Sequence, residues 1–170
     1  EIRYQIQEAM DKAKDEILKA GKEFKDMFGR DYEFVELYRC DEDIEELLVM
    51  SGAMASTGKE AIDKLRDTGR KIGLLRIRVF RPFPKERLRK LLSSLKSLKR
   101  IIVIDRNVSF GSEGIFYSEL KSVLYSVLDI PIIGIIAGLG GRDVTIKDIM
   151  GMCNAAEKEP EFTVWWGLKK

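Results

Sequence analysis

Residues 72–105 read IGLLRIRVFRPFPKERLRKLLSSLKSLKRIIVID, and this stretch decides the fold. From Ile72 to Phe80 the chain is an extended apolar run in which Leu75, Ile77 and Val79 alternate with Arg76 and Arg78. One face of that strand is therefore apolar and the other ends in guanidinium groups. In Arg81-Pro82-Phe83-Pro84 each proline pushes the residue before it out of helical geometry, while Pro84 suits the first position of a helix. Lys85 to Leu98 then reads as that helix, and Ile101 to Asp105 is a second β-branched run. Two short strands joined by a helical crossover form the unit of a parallel sheet.

The alternation continues outward in both directions. Ile44 to Met50, Ile130 to Ala137 and Phe162 to Trp166 have strand character, and Ala55 to Asp67, Glu113 to Leu128 and Ile146 to Ala156 have helical character. The order predicts an α/β protein, a three-layer α/β/α fold with a five-stranded, mostly parallel sheet covered on both faces. Ahead of it, residues 1–30 read as one long helix. Ile6, Met10, Ala13, Ile17, Ala20, Phe24 and Met27 recur at steps of four and three, and Gly29 stands where a helix ends. The spacing permits a coiled coil, but the simpler expectation is that this stripe packs on the domain's own sheet. Residues 31–170 then form a single domain without an internal linker. The run Ile130 to Leu139 is too short and too marked by Gly and Pro to cross a bilayer, so no membrane is expected.

Composition narrows the chemistry. The 170 residues hold 30 Lys+Arg, 28 Asp+Glu, two cysteines and no histidine. A nucleophile activated by His, a His metal ligand and a side chain that titrates near neutrality without perturbation are all excluded. Cys40 and Cys153 cannot supply a four-thiolate cluster or a CxxC motif, and they read as reduced thiols of a cytoplasmic protein. The chain opens on Glu1 and reads as a piece of something longer. The net charge of +2 hides two blocks. Residues 31–46 carry Asp31, Glu33, Glu36, Asp41, Glu42, Asp43, Glu45 and Glu46 against Arg39, whereas residues 59–100 carry fifteen bases against four acids. Such blocks are solvated faces, neutralise each other in the fold, or mark a docking surface. With only Phe80 and Phe83 among the bases, a nucleic-acid partner is not expected.

Four loops at strand ends carry the candidate residues. Ser51-Gly52-Ala53-Met54-Ala55-Ser56-Thr57-Gly58-Lys59-Glu60 resembles a phosphate-binding loop, but it has one residue too many between its glycines and Glu60 in place of the magnesium-binding hydroxyl. It reads equally as a strand-to-helix turn capped by Ser or Thr. Arg81, Pro82, Phe83 and Pro84 form either a stiff corner with Phe83 in the core or an interface that presents Arg81 and Phe83. Asp105-Arg106-Asn107-Val108-Ser109-Phe110-Gly111-Ser112-Glu113-Gly114 lies at the carboxyl end of a strand, where open α/β sheets bind ligands. In it Gly111 and Gly114 allow close backbone approach, Ser112 can cap the next helix, and Asp105 and Arg106 either brace the loop or face a ligand. Gly138-Leu139-Gly140-Gly141-Arg142-Asp143-Val144-Thr145 departs from a dinucleotide fingerprint at Asp143. It is either a tight turn braced by Arg142 and Asp143 or a cradle for phosphate or carboxylate, with Thr145 and Asp148 forming a capping box. Trp165 and Trp166 point to opposite faces, so one belongs to the core and the other is covered by another element. No residue is expected to be catalytic or to bind a metal. The weak candidates for a cofactor or phosphate such as that of coenzyme A are Arg106, Gly111, Gly140, Gly141 and Arg142.

The run from Tyr38 through DIEELLVMSGAMASTGKEAIDKLRDTGRKIGLLRIRVFRPFP, then DRNVSFGSEG and GLGGRDVT, resembles the C-terminal domain of the alpha subunit of the pyruvate:ferredoxin oxidoreductase (pyruvate synthase) and 2-oxoacid:ferredoxin oxidoreductase family. The likeness covers residues 30–168 and rests on three motifs in order at successive strand ends. It implies a fold like the transketolase C-terminal domain, with five strands of which one is antiparallel. It also implies a holoenzyme that converts a 2-oxoacid and coenzyme A to acyl-CoA and carbon dioxide while reducing ferredoxin. In that family thiamine diphosphate with magnesium decarboxylates, and iron–sulfur clusters carry electrons. This stretch resembles neither thiamine-binding domain, so the resemblance implies a role in architecture. Its partners would be the other alpha-subunit domains and the beta, gamma and delta subunits. Arg81 to Pro84, Asp105, Arg106, Gly111, Gly114 and Gly138 to Asp143 carry over as motif residues without an assigned catalytic role.

Overall fold

The computed structural model describes residues 1–158 and 163–168. The central apolar runs become strands because they are buried on both sides. Strand β1 spans Val35–Tyr38, β2 Glu46–Ser51, β3 Ile72–Ile77, β4 Arg100–Asp105, β5 Ile132–Ile136 and β6 Val164–Trp165. They form one sheet in the order β1-β3-β2-β4-β5-β6, with β1 antiparallel to β3 and the other pairs parallel. Helices α1 (Ile2–Phe28), α2 (Met54–Asp67), α3 (Lys85–Ser94), α4 (Ile115–Leu124) and α5 (Ile146–Ala155) complete the three layers. Successive strand residues feed opposite cores. Leu48, Leu74, Ile102 and Ile133 pack under α2 and α5, while Leu47, Leu75, Ile101 and Val103 pack under α3 and α4.

The α/β/α architecture is as expected, but the sheet has six strands rather than five. The added strand is β1, a four-residue edge strand inside the acidic block whose Glu36 lies opposite Arg76 of β3. The run from Ile72 leaves the sheet's ladder at Ile77, after which the Arg78 and Val79 amides donate to the Phe34 carbonyl at 2.9 and 3.2 Å. Of the expected last strand, Phe162 lies outside the described residues. Helices α3 and α4 stop short of the expected Leu98 and Leu128, because Leu95 and Tyr125 turn extended.

The two charge blocks neutralise each other. Glu33 meets Arg87, Asp41 meets Arg66 at 2.7 Å, Asp43 meets Lys71 at 3.3 Å and Glu45 meets Lys99 at 2.6 Å. Glu36 and Glu46 each draw two or more cations. The exposed pairs contribute little singly, but together they account for the segregation without a docking surface along the whole block.

Helix α1 departs from expectation. Gly29 closes it in the left-handed conformation, its amide donating to the Lys25 carbonyl at 2.7 Å, yet no residue of α1 is buried. From its stripe Ile17 joins the core, and Phe24 stacks on Tyr32 with ring centroids 5.2 Å apart. Ile6 and Met10 stay exposed, and a cavity of about 360 Å³ opens between the Gln7–Lys14 stretch and Arg81–Glu86. The reason is steric: α3 and α4 already cover that face of the sheet with Leu88, Leu92, Tyr117 and Leu120.

Candidate functional site

Parallel strands point their carboxyl ends one way, so the loops after β2, β4 and β5 share one edge of the sheet. Within this edge the loop after β4 is built around a carboxylate. Asp105, 1% exposed, accepts hydrogen bonds from the amides of Phe116 at 3.1 Å and Tyr117 at 3.0 Å, and Asn107 accepts from Ile115 at 2.9 Å. These bonds cap α4, whose N-cap is Gly114 rather than Ser112. A Cβ on Gly114 would collide with the Asp105 carboxylate, which is why glycine stands there. Burial pushes the Asp105 carboxyl above the usual range, while the Tyr117 and Phe116 amides and Asn107 pull the other way.

The other sequence candidates separate. Phe83 is 6% exposed and belongs to the core beside Phe80, ring centroids 6.0 Å apart. Pro82 and Pro84 are buried with it. Arg81 remains exposed, stacks over the Phe80 ring at 3.9 Å and pairs with Glu119. Arg106 and Arg142 do come together: with Thr57 and Asp143 they line a shallow cavity of about 180 Å³. Arg106 donates to the Gly138 carbonyl at 3.4 Å, and Arg142 donates to the Gly167 carbonyl. Among the described residues there is no Arg142–Asp143 ion pair, so the turn is held by these carbonyl bonds instead. Gly138 has φ 70°, and a Cβ there would stand 2.9 Å from Val144 and 3.0 Å from Arg106 Nε. Gly140 and Gly141 continue the turn on the exposed side, and Gly111 is exposed in the preceding loop. The capping box forms as expected: the Asp148 amide donates to Thr145 at 3.2 Å and the Thr145 amide to Asp148 at 2.9 Å. Trp166 donates to Asp148 at 3.1 Å and packs on the core, whereas Trp165 is 43% exposed. Helix α2 lacks the expected hydroxyl cap, since Ala53 holds its N-cap position without a side-chain bond.

A second constellation escaped the sequence reading. Lys59 from α2 and Arg78 from the end of β3 both donate to Glu36, and Arg76 stands 3.7 Å from the same carboxylate. Arg78 lies over the Tyr32 ring at 4.4 Å and Lys59 over Tyr38 at 5.2 Å. Burial raises the Glu36 carboxyl, but the Lys59 and Arg78 bonds and charges outweigh it and hold the group below its ordinary range. The Arg76/Arg78 alternation was visible in the sequence. Their acceptor was not, because Glu36 reaches them through an antiparallel pairing forty residues away.

Neither cysteine is suited to ligation. Burial pushes Cys40 up to about 11 and Cys153 up to about 12, whereas a metal takes the thiolate. Among the described residues no group of three His, Cys, Asp or Glu side chains is placed to hold a metal ion. Two cysteines, both held as thiols, do not fit a four-thiolate iron–sulfur cluster. Nor is any described helix long and apolar enough to cross a membrane.

With the geometry established, three kinds of comparison converge. The family model of pyruvate:ferredoxin oxidoreductase core domain II matches residues 45–149. The pyruvate synthase subunit PorA of Methanothermobacter thermautotrophicus is 41% identical over 170 residues, covering 100% of this chain and 43% of PorA. The ketoisovalerate oxidoreductase subunit VorA of Pyrococcus horikoshii is 43% identical over 177 residues, 100% of this chain and 44% of VorA. PorA of Thermotoga maritima is 48% identical over 148 residues, 86% of this chain and 36% of that subunit. The chain thus spans less than half the length of these relatives. Among solved structures, a 2-oxoglutarate:ferredoxin oxidoreductase from Magnetococcus marinus superposes with TM-score 0.53 at 18% identity, over 73% of this chain and 20% of that one. A split-gene transketolase superposes with TM-score 0.53 at 16% identity, over 69% and 39%. At such identities these two show a shared fold.

Proposed function

Because the chain belongs to the pyruvate:ferredoxin oxidoreductase core domain II family, we propose that it is a non-catalytic structural and assembly domain of the alpha subunit of a 2-oxoacid:ferredoxin oxidoreductase, with pyruvate as the 2-oxoacid. Residues 31–170 are the domain proper and residues 1–30 the helix that leads into it. The holoenzyme converts the 2-oxoacid and coenzyme A to acyl-CoA and carbon dioxide and reduces ferredoxin in the cytoplasm. Thiamine diphosphate, magnesium and iron–sulfur clusters belong to other domains and to the beta, gamma and delta subunits.

The observation that carries this reading is the use made of Asp105. At the strand-end edge where α/β sheets place their chemistry, the buried Asp105 carboxylate turns both oxygens inward to the α4 amides. A buried carboxylate with a backbone donor on each oxygen holds a helix in place.

Titration of the 170-residue chain tests the assignment. Thiamine diphosphate with magnesium is expected to give no binding heat, and viologen dyes to stay oxidised in the presence of pyruvate and coenzyme A. Micromolar binding of coenzyme A that disappears in Arg142→Ala would overturn it in favour of a phosphate-binding domain at the Arg106 and Arg142 loops.

A further inference from the structure

The Glu36 cluster has more cations than its acceptor can serve. Lys59, Arg76 and Arg78 surround one carboxylate, which among the described residues leaves two positive charges in excess in a partly buried site. Arg76 is the sharpest sign. Its side chain is 24% exposed, it makes no hydrogen bond among the described residues, and its contact with Glu36, at 3.7 Å, reaches an oxygen already taken by Arg78. A guanidinium carries five donors in a planar fork. Withdrawing most of it from water with only this long, shared contact costs free energy, and three cations within reach of one another repel. Elsewhere the opposite holds: Arg66 pairs with Asp41, Arg87 with Glu33, and Arg70 with both Glu46 and Glu157.

We propose that the Lys59–Arg76–Arg78 cluster is a docking point for a carboxylate on an acidic segment of another subunit of the oxidoreductase, received bidentately by Arg76. This rests on the assembly role proposed above and names its surface. Three features select a protein partner over a small anion. Glu36, Lys59, Arg76 and Arg78 each keep about a quarter of their side chain exposed, so the cluster reaches solvent. The cluster also borders β1, the edge strand of the sheet, where another chain has room to approach. Tyr32 and Tyr38 flank the cations with ring surface, and arginine with tyrosine is the composition of interface anchor points. The net positive charge specifies acidic residues opposite.

The test uses the assembled multisubunit enzyme. A carbodiimide couples an amine to a carboxylate only when the two are in salt-bridge contact, so peptide mapping after treatment is expected to find Lys59 joined to an Asp or Glu of a different subunit. Lys59→Met removes that link. Arg76→Met, which keeps the volume and the fold, is expected to weaken association with the linked subunit about tenfold at low salt and to flatten its salt dependence. If the enzyme assembles but Lys59 is joined to Glu36 alone, the docking point is wrong and the assembly role stands. If inorganic phosphate at millimolar concentration protects Lys59 from coupling while no intersubunit link forms in its absence, the cluster serves a small anion and the proposal is overturned. If the chain's subunit does not associate with any other, both readings fall.

Discussion

At the entrance to β3, Arg70 has acceptors on every side; at the exit, Arg76 and Arg78 compete with Lys59 for one. The Arg70 guanidinium donates to both Glu46 oxygens at 2.6 Å, to Asn154 at 2.9 Å and to the Cys153 carbonyl at 3.0 Å, and Glu157 stands at 3.0 Å. Glu46 in turn has Arg100 at 3.6 Å. That end is saturated and ties β2, β3 and α5 into one unit. The exit of the same strand holds surplus positive charge. Two arginine sites six residues apart therefore have opposite meanings. A satisfied buried charge belongs to the fold, whereas an unsatisfied one is left for something outside it.

Four measurements press on this contrast. The largest effect is expected from Arg70→Ala, which takes both short bonds from the buried Glu46, leaves it the Arg100 contact at 3.6 Å, and should cost about 3 kcal/mol in denaturant unfolding. A loss below 1 kcal/mol would erase the distinction between the two ends. Next comes Asp105→Ala, which leaves the Phe116 and Tyr117 amides without acceptors and should cost roughly 1–3 kcal/mol. It checks that the strand-exit edge contains structural charge as well as spare charge.

Much of this pattern was legible before any coordinates. Runs such as Ile101–Ile104 are apolar at every position because parallel strands bury both faces, and that is a local signal. Strand β1 gave no such signal: it is four residues long, half polar, and sits in a run of acids. Its existence depends on β3 supplying the cations that make Glu36 acceptable beside a sheet. The caps divide in the same way. Thr145 and Asp148 lie three residues apart and were readable, whereas Asp105 caps α4 from eleven and twelve residues away. Arg106 and Arg142 were found because strand ends are predictable. The Glu36 cluster was not, because its geometry is set by register.

Smaller effects sharpen the comparison further. Arg76→Met should leave the isolated chain as stable as before, or more stable by about 0.5–1 kcal/mol, since the charge it removes has only a long contact to an oxygen shared with Arg78. The same class of substitution thus changes sign between the two ends of β3, and equal losses at both would contradict the surplus. The smallest signal is in titration. The folded-state pKa of Glu36 is depressed, so its contribution to stability is present above the unfolded-state value and is lost as pH falls through the folded one. Carboxyl NMR should place Glu36 below an ordinary glutamate, and Lys59→Met should move it upward.

Helix α1 invites a mechanical description. It is rooted along its second half, where Gly21 lies so close to the Tyr32 carbonyl that a Cβ would not fit and Phe24 rests on Tyr32. Its first half, from Ile17 back to Ile2, runs about 22 Å at the usual helical rise and meets the body more loosely, as in the Lys14–Glu86 contact at 3.9 Å. Such a beam magnifies whatever happens at its support: a tilt of roughly ten degrees at Ile17 carries Ile2 through about 4 Å at that length. The direction of this helix over the sheet is therefore set by a few contacts around Tyr32, and trimming that one ring would slacken the joint without touching either core.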